Sequence, residues 1–206
     1  MSAIIFDFDG TIADTLGFFQ DYLVKEAHLS PLSLTERREL HGMTLVRLAR
    51  HLGHSRWRLA RLYVEAPVEL YPIIDQFKPF EGMIDIIKKL HAEGHELFIV
   101  SSNSSENIHK FLRNNGVENY FVDIKGRVIL FNKRHALRRL LKKHHLQPSN
   151  CICVGDEVRD IVGAKAAKLR TIAVDWGFAK TAELLAARPD DLVSTSQQLL
   201  LLLEEV

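Results

Sequence analysis

The strongest constraint on this chain is a set of short apolar runs that do not alternate with polar residues. Strands are predicted over Ala3–Asp7, Glu96–Ser101, Cys151–Val154 and Thr171–Asp175, with a shorter one near Leu192–Ser194. A strand with one wet face alternates; a run apolar at successive positions must be covered on both faces, as in a parallel sheet flanked by helices. Helical patterns separate these runs, over Met83–His91, from about Ser105 to Asn115-Gly116, from Asn132-Lys133 to about His145, and over Asp160–Leu169. Strand alternating with helix is the signature of a doubly wound α/β sheet. The stretch Tyr120–Leu130 is less regular, and Val122–Ile124 and Val128–Phe131 each read as a short strand around Gly126.

One region breaks the alternation. From Thr15 to Pro79 the signals are helical throughout. Leu16, Phe19, Leu23 and Ala27 share a face, with Asp14 or Thr15 as N-cap. Ser33-Leu34-Thr35-Glu36 reads as a capping box, and Gly42 as the following stop. Leu45, Leu48, Ala49 and Leu52 form another apolar face. A further helix is expected from Trp57 to about Ala66, ended by Pro67, with Pro72 breaking any continuation. The predicted organisation is an α/β core over residues 1–14 and 80–206, carrying an all-helical insertion over residues 15–79.

Composition excludes several classes of function. At 206 residues with a net charge of +1, the chain has no bulk field to recruit nucleic acid or an anionic membrane. The basic residues of the Lys133–His145 helix lie away from its apolar face and read as a solvated surface. The Leu199–Leu203 run is too short to span a bilayer. Met1-Ser2 leads straight into a core strand with no leader pattern. Cys151 and Cys153 share one strand face and read as buried apolar groups. These features point to a cytoplasmic soluble protein, expected to be a monomer or homodimer.

The ends of the strands carry the chemistry. Ligands of such sheets bind beyond the carboxyl ends of the strands. There the sequence places Asp7 and Asp9 of Asp7-Phe8-Asp9-Gly10-Thr11, then Ser101-Ser102-Asn103, then Lys133, then Asp156 and Asp160 of Gly155-Asp156-Glu157-Val158-Arg159-Asp160. Crowded carboxylates repel, and a divalent cation that also takes phosphate oxygens relieves the repulsion. Gly10 allows the chain to turn sharply after the acid pair.

In these motifs the chain resembles the haloacid dehalogenase superfamily, in the branch with a helical cap inserted after the first motif, as in phosphoglycolate phosphatases. The resemblance spans essentially the whole chain. It implies a Mg²⁺-dependent phosphatase of a small phosphomonoester. Asp7 would be the nucleophile, forming an aspartyl-phosphate. Asp9 would be the acid/base, Ser101 and Lys133 the phosphate-binding catalytic partners, and Ser102 and Gly10 further substrate contacts. Mg²⁺ would be held by Asp7, the backbone carbonyl of Asp9 and Asp156, with Asp160 in support. Lys125 competes with Lys133 for the lysine role.

Two alternatives within reach are a sugar phosphomutase and a binding module of the same fold with little turnover. Mutases resembling this chain carry an arginine three residues after the cap glycine, where Leu45 stands here, and tend to lack an acid at the position of Asp160. Dehalogenases usually lack an acid at the position of Asp9. Glu157 reads as solvated and Arg159 as a surface or cap contact. Phe18, Gln20, His41, Gly42 and Arg47 are the candidate cap residues facing substrate.

Overall fold

The computed structural model describes residues 2–31, 33, 35–36, 45–128 and 132–204. Six strands form one parallel sheet in the order β3-β2-β1-β4-β5-β6. They are β1 (Ala3–Phe6), β2 (Glu96–Val100), β3 (Phe121–Lys125), β4 (Cys151–Gly155), β5 (Arg170–Val174) and β6 (Asp191–Val193). β1 pairs with β2 on one side and β4 on the other, so the strand order reverses beside it. In doubly wound sheets such a reversal opens a crevice at the carboxyl edge.

The unalternating runs are explained by the two faces. Ile4, Phe6, Leu97, Ile99, Ile152 and Val154 pack into one apolar cluster. Ala3, Ile5, Phe98, Val100, Cys151 and Cys153 pack into another on the opposite side. Both cysteines are free and buried, and burial pushes the Cys153 thiol up to about 12. The helices that follow in the core are Met83–Ala92, Ser105–Asn114, Lys133–Lys143, Val158–Ala166, Thr181–Ala186 and Ser196–Glu204. They are labelled α4 to α9 below.

The insertion supplies α1 (Leu16–Glu26), α2 (Leu45–His51) and α3 (Arg56–Leu70), then a 3₁₀ segment over Tyr71–Gln76. Its apolar residues are continuous with the core, since Phe19, Leu48, Leu62 and Leu70 join the cluster of Ile4 and Phe6. Its entry and exit run side by side: Asp14 N–H donates to the Lys78 carbonyl (3.0 Å) and Phe80 N–H to the Ile12 carbonyl (2.9 Å).

Three expectations change. Helix α3 does not stop before Pro67 but runs through it. Leu62, Ala66 and Leu70 lie on one face, four residues apart, and all are buried. Their burial offsets the lost backbone bond, which costs about 3 kcal/mol in a helix interior. Strand β3 runs longer than expected, Phe121–Lys125 rather than Val122–Ile124, while the second expected strand, Val128–Phe131, falls mostly on residues 129–131, outside those described. Helix α7 begins at Val158, two residues early, because Asp160 caps it from within by accepting the Glu157 N–H (2.9 Å). The capping box holds, with Ser33 N–H bonding Glu36 Oε2 (2.8 Å) and Glu36 N–H bonding Ser33 Oγ (3.3 Å). Gly42 and His41 lie outside the described residues.

Candidate active site

Asp7 follows β1 directly, and its N–H donates to the Val154 carbonyl of β4 (2.9 Å), which places its side chain at the crevice. Asp156 follows β4 on the other side. Its Oδ1 accepts from the Thr11 hydroxyl (2.8 Å) and its Oδ2 from the Phe178 N–H (2.8 Å). Thr11 thus ties the first acidic motif to the second. Asp160 returns from the first turn of α7, its Oδ1 accepting from Lys133 Nζ (2.7 Å). Gly155 makes that return possible, because a Cβ there would stand 2.6 Å from the Asp160 carboxylate. Gly10 adopts φ +76°, and a Cβ on it would meet Asp156 Oδ2 at 2.3 Å. Its N–H donates to Ala13 (3.0 Å), so the site uses its missing side chain rather than its amide.

Lys133 opens α6 and is buried. Its Nζ stands 3.2 Å from Asp7 Oδ2, between Asp7 and Asp160. Burial opposes its charge, but the two carboxylates hold it protonated. Lys125, at the end of β3, is exposed. Ser101 is buried at the end of β2, its Oγ accepting from the Asn103 N–H (3.2 Å). Ser102 lines the cleft.

Asp9 sits apart from this cluster on the cleft side. Its Oδ1 accepts from the Thr15 hydroxyl (2.8 Å) and from Asn103 Nδ2 (3.0 Å). Burial raises its carboxyl to about 7, with help from the charge of Asp7, while the Thr15 and Asn103 bonds pull the other way. With Oδ1 occupied by two donors, the proton of the neutral acid belongs on Oδ2.

The acids that come together are Asp7, Asp156 and Asp160, each offering an oxygen within 4.8 Å of the others. Burial also raises Asp7 and Asp156 above the ordinary carboxylate range. Both Asp7 oxygens are buried, and among the described residues neither accepts a well-aligned hydrogen bond, although Lys133 Nζ lies 3.2 Å from Oδ2 and the Phe8 backbone N–H also favours the charged form. Five buried acids here (Asp7, Asp9, Asp156, Glu157 and Asp160) face two bases, Lys133 and Arg159. Orphaned hard oxygens and an excess of buried negative charge fit a divalent cation such as Mg²⁺.

One reading of the second acidic loop is corrected and another narrowed. Glu157 is buried, not solvated, and of the surface or cap contact expected of Arg159 only the cap contact is found, on the N-cap residue Glu157. Arg159 Nη2 bonds Glu157 Oε1 (2.7 Å) and Ser102 Oγ (3.3 Å), and lies 4.0 Å from Asp7 Oδ2. The lining on the insertion side also differs. Phe18 stacks on Tyr22 and edges onto Phe77, and Gln20 is buried. Arg47 reaches outward to Glu183 (2.5 Å). Phe19, Tyr22, Leu23, Leu62, Ala66 and Pro67 line the cleft instead. Positions 19, 22 and 23 form one helical face, and Phe18 lies about 100° away from Phe19. The sequence places Asn103 at a strand end without giving it a role, and it gives none to Asn107. Asn107 interrupts an apolar helix face, and a polar residue there announces a buried partner.

Comparison with known proteins agrees with this geometry. Residues 4–174 match the family described as haloacid dehalogenase-like hydrolase. A phosphoglycolate phosphatase of Synechococcus elongatus is 34% identical over 97% of this chain and 96% of its own length. A 5'-nucleotidase of Pseudomonas aeruginosa is 24% identical over 90% of the chain and 88% of its own. A haloacid dehalogenase-like family hydrolase from Streptococcus pneumoniae superposes with a TM-score of 0.79, covering 98% of this chain and 97% of that one at 23% identity. With the family match spanning most of its length and carrying both acidic motifs, the chain belongs to the haloacid dehalogenase-like hydrolases.

Proposed function

We propose that the protein is a Mg²⁺-dependent phosphatase that hydrolyses a small phosphomonoester through an aspartyl-phosphate on Asp7. The observation that carries this reading is the buried Asp7 carboxylate, ion-paired with Lys133, grouped with Asp156 and Asp160 and beside a cleft lined by Asp9. Asp7, Asp156 and the backbone carbonyl of Asp9 would hold the ion, with Asp160 in support. Mg²⁺ bound there neutralises phosphate oxygens and holds them for in-line attack.

An Asp7 oxygen attacks phosphorus. Asp9 gives the proton on Oδ2 to the departing alkoxide, so the alcohol leaves neutral. Asp9, now a carboxylate, takes a proton from the water that attacks the aspartyl-phosphate, and phosphate departs with Asp7 restored. A group used in both directions works best with a pKa near the working pH, and Asp9 lies at about 7. Lys133 neutralises a phosphate oxygen and keeps Asp7 in line, and the Ser101 and Ser102 hydroxyls bind phosphate. Asp160 holds Lys133 in place.

The helical segment 15–79 serves as the cap, hinged where residues 12–14 run beside 78–80. It excludes water and shapes the space for the leaving group. The Synechococcus elongatus relative makes phosphoglycolate the first substrate to try, and the Pseudomonas aeruginosa relative adds nucleoside monophosphates. Among the described residues no helix is long and apolar enough to cross a membrane. The test is hydrolysis of p-nitrophenyl phosphate and a metabolite-phosphate panel with Mg²⁺ or EDTA. Asp7→Asn is expected to abolish turnover at least ~10³-fold; full activity in EDTA or in this variant overturns the reading.

A further inference from the structure

Asn107 has no exposed surface, and it lies on the side of α5 that carries Ile108, Phe111 and Leu112. Both of its amide protons are used. Nδ2 donates to the Pro67 carbonyl (2.7 Å) and to Asn103 Oδ1 (2.8 Å). Asn103 Oδ1 also accepts the Ser104 N–H (2.8 Å), which turns its Nδ2 toward Asp9 Oδ1 at 3.0 Å. An unbroken line of buried amides therefore joins helix α3, on the insertion side of the cleft, to the Asp9 carboxyl on the sheet side. Asn107 Oδ1 is buried and has no hydrogen-bond partner among the described residues. An orphaned buried acceptor is costly, and this residue tolerates it while aiming both donors along the line. Pro67 itself lines the cleft.

The geometry points to a relay in which Asn107 and Asn103 set the Asp9 carboxyl according to where helix α3 sits. Both are positioning residues. The inference rests on the reading of Asp9 as the proton donor. With α3 seated, the Pro67 carbonyl fixes the Asn107 amide, which fixes Asn103. Asn103 then holds Oδ1 of Asp9, leaving Oδ2 for the proton and the leaving group. With α3 lifted, Asn107 loses a partner and Asn103 loses its steady donor. The acid is aligned when the cleft is covered and slack when water can enter. Thr15 also holds Asp9 Oδ1, so breaking the relay weakens the alignment without abolishing it.

The relay makes a prediction that loss of folding does not. An aryl phosphate has a good leaving group and needs little protonation, whereas an alkyl phosphate depends on the acid. We would measure kcat and KM with Mg²⁺ for wild type, Asn107→Leu and Asn103→Ala. The substrates are p-nitrophenyl phosphate and the best alkyl ester among phosphoglycolate, glycerol 3-phosphate and AMP. Each variant is expected to lose about 10- to 100-fold in kcat on the alkyl ester and less than about 3-fold on the aryl ester, with KM little changed. Because the residues act in series, the double variant is expected to be no worse on the alkyl ester than the worse single variant.

Equal losses on both esters, no loss on either, an effect confined to KM, or multiplying losses in the double variant each overturn the relay. So does a wild type that hydrolyses only the aryl ester. A wild type that hydrolyses neither ester with Mg²⁺ removes the phosphatase reading itself, and the relay falls with it.

Discussion

The two walls of the cleft are built from opposite materials. On the sheet side, five buried acids, Asp7 among them, and two buried or half-buried bases crowd together. On the insertion side, Phe19, Tyr22, Leu23, Leu62 and Ala66 present apolar surface and belong to the cluster that packs on the sheet. Buried unbalanced charge opposes folding, and buried apolar area drives it. The chemistry therefore sits where the fold is weakest, and the space for the leaving group is shaped where the fold gains stability. Changes to the two walls should move stability and turnover in different directions.

The largest effect is expected from pH in the metal-free protein. The Asp9 carboxyl is raised from 3.8 to about 7, mainly by burial. Raised in the folded state, it contributes stability that is complete below about pH 4 and is lost as pH rises through 7. At about 1.4 kcal/mol per unit, this reaches about 4 kcal/mol. The part lost between pH 5 and pH 8 is about 2.5 kcal/mol, so in EDTA Tm should fall by roughly 5–10 °C across that range. Mg²⁺ should recover much of that loss at pH 8. Asp7→Asn, which removes one buried charge, should raise Tm in EDTA at pH 8 while abolishing turnover. A flat Tm across this range would mean that the sheet-side wall is not strained by its charge.

Gly10→Ala comes next. The left-handed φ and the close approach to Asp156 Oδ2 leave no room for a methyl group. The expected cost is about 3 kcal/mol, with a loss of activity because Asp156 must move. Thermal unfolding and turnover measured together check both parts.

The insertion wall should behave differently. Leu62 is 2% exposed, and Leu62→Ala should cost about 2–4 kcal/mol of stability. Its kcat on p-nitrophenyl phosphate should stay within about 3-fold of wild type while KM changes, as expected for an apolar side chain that lines the leaving-group space and carries no chemical role. A collapse of kcat with unchanged Tm would erase the contrast between the walls. The smallest effect is expected at Arg47, whose ion pair with Glu183 lies on the surface. Arg47→Ala should change stability by less than about 1 kcal/mol, as read by chemical denaturation.

The sheet-side acids were legible because each follows a β-strand within a few residues. A strand end, a glycine and two acids at short spacing form a local pattern, and parallel pairing brings such ends together whatever lies between them. Lys133 was legible only by its place in the order of strands. Its competitor Lys125 is exposed, while Lys133 is buried between Asp7 and Asp160. The burial of Glu157 was misread because nothing local says that Arg159 turns back onto it and reaches Ser102 at the end of β2. The lining of the insertion was misread by one residue in α1. A helical face rotates about 100° per position, so a small error in orientation exchanges Phe18 for Phe19. The passage of α3 through Pro67 was hidden for a similar reason, since a proline's local penalty is visible and the burial that offsets it is not.

By itself, then, the sequence determined the parallel sheet, the helical insertion and the acids at the strand ends, because these follow from short-range periodicity and from the few residues that end each run. Only the tertiary structure decided that Thr11 binds Asp156, that Lys133 stands between Asp7 and Asp160, and that Asn107 links Pro67 to the Asp9 carboxyl through Asn103. Each of these joins residues far apart in the chain, and their hydrogen bonds form only after packing has excluded the water that would otherwise satisfy the same groups.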